Sequence, residues 1–184
     1  LCLLLVDFSY YWSHRLSHKI DYLWAFHQVH HYSEQYNCAT VMQRSIMELL
    51  QFCKCIFYSP LAIFIHPYYI IKTREFIYLY QLFIHTEVIK KVGSFEGIFN
   101  TPNYQRIHHS FNRAYLDKNY GGIFILWDRM FGTFKEKGSG PIDYSIPESP
   151  QCYGILYQQV RIIISPAITY TIQGVSEKGG KNKL

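Results

Sequence analysis

The run Ser13-His14-Arg15-Leu16-Ser17-His18, followed by Trp24-Ala25-Phe26-His27-Gln28-Val29-His30-His31, decides how this chain is read. His14 and His18 stand at i and i+4; His27, His30 and His31 stand at i, i+3 and i+4. A third group, Gln105-Arg106-Ile107-His108-His109, repeats the second spacing with glutamine in the first place. Residues three and four apart on an α-helix share a face, with Cβ atoms about 5–6 Å apart, so each group aims its imidazoles at one point. Leu1 to Lys19 contains no Gly or Pro and reads as a helix, and a second helical stretch capped by Asp21 runs through His31. Thr101-Pro102 is a helix start ahead of the third group, a hydroxyl at the cap and proline in the first turn. The expected fold is all-α, a membrane-associated helical bundle with a histidine-lined site for two metals.

Seven of the nine histidines lie in these three groups. Imidazole suits Fe, Zn, Cu and Ni. Seven imidazoles exceed the four ligands of one tetrahedral zinc. They match two metals that keep positions open for oxygen and substrate. One His pair on a helix is more often a satisfied core pair than a ligand set, but three groups of the same geometry point to metal. His66 precedes Pro67 in an apolar stretch with no partner in spacing and is read as structural. His85, in Phe83-Ile84-His85-Thr86-Glu87, is an ionisable residue near the end of an apolar helix and is taken as an eighth ligand. Metal-bound histidines hand their second N–H to a carboxylate or carbonyl, which makes Asp7, Asp117, Asn119 and Gln105 candidate supports. Capping and turn formation are the competing roles of the two aspartates. Apart from these ligands no catalytic residue stands out: there is no Gly-rich phosphate loop, Ser/His/Asp layout or G-x-S-x-G elbow.

The 184 residues suit one domain with a sizeable core. Apolar residues make up 49% and charged residues 17%, which excludes a disordered chain or a coiled coil. Seventeen Tyr and 13 Phe imply a very aromatic core or a membrane-facing surface. The net charge of +5 follows no stripe along a helix, so nucleic acid is not expected as a partner and an anionic membrane face is. Five Cys without C-x-x-C spacing read as free thiols in a reducing compartment. The opening run Leu3-Leu4-Leu5-Val6 lacks a basic leader and reads as the end of a longer helix, so the chain is expected to continue upstream.

Ile46 to Ile71 is apolar but interrupted by Gln51, Lys54, Pro60, His66 and Pro67. After the polar break Lys72-Thr73-Arg74-Glu75, Phe76 to Val92 is apolar again. The pair is expected to form a hairpin that dips into or crosses a bilayer; a buried hairpin of a soluble protein is the alternative. Asn119-Tyr120-Gly121-Gly122 reads as a turn, and Ile123 to Phe134 as a short amphipathic stretch. Residues 142–177 carry weak strand-like alternation, and Gly179 to Leu184 is read as a disordered polar tail.

Asp7-Phe8-Ser9-Tyr10-Tyr11-Trp12-Ser13-His14 with His18, Trp24 to His31, and Arg106-Ile107-His108-His109 resemble the histidine boxes of the fatty acid hydroxylase superfamily. Leu126-Trp127-Asp128-Arg129-Met130-Phe131-Gly132-Thr133-Phe134 is similar to the segment after the third box there. Ser33-Glu34-Gln35-Tyr36-Asn37, Phe83 to Glu87, Thr101-Pro102 and Asp117-Lys118-Asn119-Tyr120-Gly121 look most like the alkylglycerol monooxygenase branch. The resemblance covers residues 1–137 as one hydroxylase-like domain and leaves 138–184 as an unmatched tail.

The resemblance implies a membrane-bound, non-haem di-iron oxygenase of the endoplasmic reticulum whose metal site faces the cytosol. It implies a lipid substrate, cleavage of alkylglycerol ethers with O2, and tetrahydrobiopterin as cofactor; the sequence offers no pterin site and does not identify the electron donor. Three positions depart from the pattern: Gln105 where His is usual, Lys19 where the ether-cleaving enzymes carry an acid, and Tyr32 in place of a small Ser. The metals are still expected to bind, but less tightly, with Gln105 near the cluster and Lys19 turned away. A sterol or fatty acyl hydroxylase or desaturase of the same superfamily, and a non-catalytic membrane protein that keeps the fold, remain as alternatives.

Overall fold

The computed structural model describes residues 1–45 and 52–144. Helix α1 spans Cys2–Lys19, as the absence of helix breakers predicts. It stops where Ile20 turns extended (φ −102°, ψ 116°). Helix α2 (Asp21–His27) follows at once, and Ile20 is its cap; Asp21 is the first helical residue, not the capping side chain expected. The helix then tightens into a 3₁₀ turn at Gln28–His31, so the second histidine group straddles two helix types. A capping box opens the next 3₁₀ turn, Cys38–Met42, with Asn37 Oδ1 accepting from Ala39 N and Thr40 Oγ1 from Asn37 N.

The expected hairpin takes a different form. Helix α3 is short (Phe52–Tyr58) and runs into a 3₁₀ turn at Ser59–Ile63. Helix α4 then spans Pro67–Ile84. The break falls at residues 64–66, not at the polar tetrapeptide. Proline is comfortable in a helix's first turn, where its missing N–H costs nothing, and the His66 ring accepts from Tyr68 N to cap that end. Lys72 and Glu75 sit inside α4 as an exposed i,i+3 pair at 2.8 Å. The helix ends at Ile84 and His85 is its C-cap residue, so Phe76 to Val92 is not one helix. Residues 46–51, and the strand-like alternation and tail beyond 144, lie outside the described residues.

A 3₁₀ turn at Gly93–Gly97 leads to α5 (Pro102–His108), then to a long loop, then to α6 (Leu126–Met130). One isolated antiparallel bridge, Phe99 to Phe124, is the extent of β-structure among the described residues. Residues 138–144 fold back: Gly138 N donates to Tyr115 OH, and Phe111 N to the Asp143 carbonyl.

The main apolar core joins α1, α3 and α4 through Val6, Tyr58, Ile70, Ile77 and Ile123. Burying each large aliphatic side chain there contributes about 1.5–3 kcal/mol. A second cluster packs Ala25, Val29 and Tyr32, and a third packs Tyr104, Ile107, Tyr115 and Ile125. Two buried carboxylates pin the loop between α5 and α6. Asp7 accepts from Ile123 N, Phe124 N and Trp127 Nε1. Asp128 accepts from Tyr120 N, Gly121 N and Thr133 Oγ1. The loop must run close to both. A Cβ on Gly122 would collide with the Asp7 carboxylate, and one on Gly121 with the Phe124 carbonyl.

Tyr68, Tyr69, Ile71, Phe76, Leu79 and Phe83 leave α4 with an exposed apolar flank, continued by Ile63 and Phe64. No helix among the described residues is long and apolar enough to cross a membrane.

Candidate metal centre

Four segments carry the imidazoles to one place. α1 presents His14 and His18 one turn apart; α2 and its 3₁₀ extension present His27, His30 and His31; the C-cap of α4 presents His85; and the end of α5 presents His108 and His109. His14, His18, His27 and His108 form one set whose ligand atoms lie within 4.8 Å of one another. His30, His85 and His109 form a second set to the same limit, and His31, His108 and His109 form a third that joins the two. All eight predicted ligands therefore meet in one cluster. His66 is elsewhere, exposed at the other end of α4.

Hydrogen bonds at the far ring nitrogen set the tautomers. Nδ1–H of His14 donates to the Tyr120 carbonyl at 2.9 Å, and that of His30 to the Thr40 carbonyl at 2.8 Å. His85 donates to the Gln81 carbonyl at 2.6 Å and His108 to the Lys118 carbonyl at 3.0 Å. A carbonyl only accepts, so these Nδ1 atoms carry the proton and each Nε2 presents a lone pair. The Nε2 atoms of His14, His18 and His108 are buried without a hydrogen-bond partner. His85 Nε2 faces His30 Nε2 at 3.3 Å, lone pair against lone pair. Unsatisfied buried acceptors are costly, and converging lone pairs call for a cation between them. The donor set fits a first-row transition metal: neutral nitrogens only, two groups joined by a third, and outer carbonyls that fix four of the rings.

Six of the rings are held neutral. Burial, with the neighbouring imidazoles adding to it, keeps His14, His18, His30 and His109 well below the usual histidine range. Burial takes His85 and His108 down to about 3.

The supporting residues are placed less simply. Asp7 and Asp128 tie down the loop, and Asp7 bonds two backbone N–H groups and an indole, not an imidazole. Asp117 accepts from Tyr120 OH and from Lys19 Nζ, the latter at 2.6 Å with both side chains about half exposed. Lys19 is thus at the surface on Asp117. Asn119 adopts φ 58° and ties the loop to Lys135 and Tyr104 through its amide. Gln105 stands beside the cluster, 3.4 Å from His85 Nε2, with its Oε1 accepting from Asn100.

The groups that touch the ring nitrogens directly are backbone carbonyls, which no side-chain motif announces. Arg106 was not expected to matter. It is buried, and its guanidinium donates to the carbonyls of Thr86, Ile89 and Lys90, holding the loop that follows His85. Tyr36 also escaped notice; its ring stacks on His85 at 5.4 Å, and its hydroxyl donates to the Ile84 carbonyl. In the sequence both lie inside stretches that carry the family resemblance, Arg106 in the third histidine group and Tyr36 in Ser33 to Asn37, with no role attached to either.

The family model for fatty acid hydroxylases matches residues 1–133. Human alkylglycerol monooxygenase is 49% identical over 130 residues, which are 71% of this chain and 29% of that protein. The alkylglycerol monooxygenase of Caenorhabditis elegans is 34% identical over 180 residues, 94% of this chain and 35% of that protein. Human lathosterol oxidase is 29% identical over 153 residues, 77% of this chain and 48% of that protein. The chain spans about a third of the length of the alkylglycerol monooxygenases it matches. No solved structure matches it significantly.

Proposed function

The chain belongs to the fatty acid hydroxylase family, and from that premise we propose that it is the metal-binding part of a membrane-bound lipid monooxygenase that cleaves the ether bond of alkylglycerols. The observation that carries the reading is the convergence of eight imidazoles, seven of them on buried residues and several with tautomers set so that Nε2 faces inward. Two iron ions held there would supply the redox chemistry that turns O2 on an unactivated C–H bond. His14, His18, His27 and His108 are assigned to one ion, His30, His85 and His109 to the other, with His31 between them. The carbonyls of Tyr120, Thr40, Gln81 and Lys118 keep the rings oriented. Burial excludes water from the cluster.

Hydroxylation of the carbon next to the ether oxygen gives a hemiacetal, which separates into a fatty aldehyde and a glycerol derivative. The choice of alkylglycerol rests on the relatives, the vertebrate alkylglycerol monooxygenases at 46–52% identity. Tetrahydrobiopterin as electron source, the endoplasmic reticulum as location and a cytosol-facing site come from the same kinship. The exposed apolar flank of α4 suits a lipid surface. Lys19 does not argue against activity, because its ammonium is held at the surface by Asp117. Gln105 takes the place of a family histidine as an amide beside His85.

The test is iron content together with aldehyde release from an alkylglycerol, measured on the full-length protein in membranes. Two irons per chain with aldehyde release support the reading. Iron with turnover of a sterol or fatty acyl chain and none of alkylglycerol assigns another branch. Absence of iron leaves a non-catalytic protein.

A further inference from the structure

We propose that Tyr36 and Tyr144 form an electron path from the metal cluster to the surface, by which the protein discharges an oxidised centre when no lipid is bound. The inference rests on the metal-centre reading above.

The rings make a continuous stack. Tyr36 lies 5.4 Å from His85 at an interplanar angle of 24° and 5.1 Å from His109. Tyr144 lies 5.2 Å beyond Tyr36, nearly parallel at 11°. Tyr36 is buried, whereas Tyr144 is partly exposed. Two short ring-to-ring steps therefore connect ligand imidazoles with solvent. Tyr144 is held in that place by its neighbour Asp143, whose carbonyl accepts from Phe111 N and whose carboxylate accepts from Asn112 Nδ2.

The hydroxyl partners decide where the path ends. A phenol that loses an electron becomes a strong acid and must pass its proton to a base. Tyr36 OH donates to the Ile84 carbonyl, which cannot keep a proton. Tyr144 has the Glu87 carboxylate beside it, which can, and that charge adds to burial in pushing the phenol up. Tyr36 is thus a relay and Tyr144 the terminus. With iron held by the imidazoles, Tyr144 would give up one electron through Tyr36 to the oxidised metal. The phenolic proton goes to Glu87, leaving a neutral phenoxyl radical. A small soluble reductant such as a thiol or ascorbate returns one electron to it, and Glu87 hands the proton back.

Three other aromatic side chains touch the ligands and are less suited. Tyr10 meets His14 edge-on at 5.5 Å and packs against the main apolar core. Trp24 lies 5.0 Å from His18 and 5.5 Å from His31, with no carboxylate bond to its indole among the described hydrogen bonds. Tyr120 donates to Asp117, but that carboxylate is already tied to Lys19, and the Tyr120 ring is fully buried, out of reach of a soluble reductant.

The experiment exposes reduced, iron-loaded full-length protein to O2 without lipid, freezes it, and records electron paramagnetic resonance, with ring-deuterated tyrosine to identify the signal. The parent protein should give a neutral tyrosyl radical. Tyr144→Phe, which keeps the stacked ring, should lose that signal at unchanged iron content and accumulate oxidised side chains around the cluster by mass spectrometry. Glu87→Gln should also lose it. No tyrosyl signal from an iron-loaded parent, a signal that survives Tyr144→Phe, or a radical on Trp24 or Tyr120 overturns the proposal. A parent that binds no iron overturns the metal-centre reading, and this path with it.

Discussion

His66 and His85 cap the two ends of one helix, and their different fates follow from what surrounds each ring. His66 is exposed and its ring accepts from Tyr68 N. His85 is fully buried, with its Nε2 2.9 Å from that of His109. His85→Ala is expected to lower bound iron per chain, while His66→Ala leaves it at the parent value; metal analysis of the two purified variants checks this. Equal iron in both would remove His85 from the ligand set. Spacing along the chain made His66 and His85 equally isolated, and only the polar end of an apolar helix hinted at the difference. The aspartates were less legible. Asp7 follows the α1 face that carries His14 by sequence count, yet its carboxylate is spent on Ile123, Phe124 and Trp127 from a segment more than 100 residues away. Nothing local announces such a partner.

At the scale of elements, the loop between α5 and α6 does as much for the site as the helices do. It delivers two carbonyls, Lys118 to His108 and Tyr120 to His14, and it can do so because Asp117 and Asn119 adopt φ near 60° while Asp128 clamps Tyr120 and Gly121. Gly121→Ala would drive a Cβ into the Phe124 carbonyl and within 3.0 Å of Asp128 Oδ2. Overpacking of this kind costs about 1–3 kcal/mol. The variant should therefore melt earlier, and it should also bind iron more weakly because the Tyr120 carbonyl shifts away from His14. A thermal melt and a metal titration measure the two effects; a lowered melting temperature at unchanged iron affinity would mean that the carbonyl does not orient the ring. The turn itself was readable from Asn119-Tyr120-Gly121-Gly122. The acceptor role of its carbonyls was not, since every residue has one. The helix boundary at Pro67 was misplaced for a related reason: a polar tetrapeptide looks like a break, but Lys72 and Glu75 satisfy each other on the open side of α4.

For the whole molecule, collecting so many neutral imidazoles in one core links stability to pH and to metal. His14, His18, His30 and His109 are held well below the ordinary value, and His85 and His108 at about 3. An unfolded histidine titrates near about 6.5. The folded state then binds fewer protons than the unfolded one below that pH, so stability is full above about 6.5 and is lost as pH falls toward the folded values. A bound metal competes with the same protons and adds to the stability of the fold. Thermal melts from pH 7.5 down to 5 should show a steepening fall below about 6.5. A chelator at pH 7.5 should lower the melting temperature, and added Fe(II) should restore it. A melting temperature indifferent to both would mean that the imidazoles are not gathered in the interior.

The helical class, the shared faces of the candidate ligands and the family were readable from the chain because they depend on local spacing: i, i+3 and i+4 place side chains on one face whatever the rest of the protein does. Grouping is another matter. That His108 comes within reach of His14, His18 and His27, and His109 within reach of His30 and His85, depends on how four segments pack. The same holds for Arg106 on the loop after His85, for Lys19 drawn out to Asp117, and for Tyr144 stacked on Tyr36. These contacts join residues far apart along the chain. They arise because the core leaves each ring, charge and carbonyl one place where its hydrogen bonds can be met, and that place exists only after the helices have closed around it.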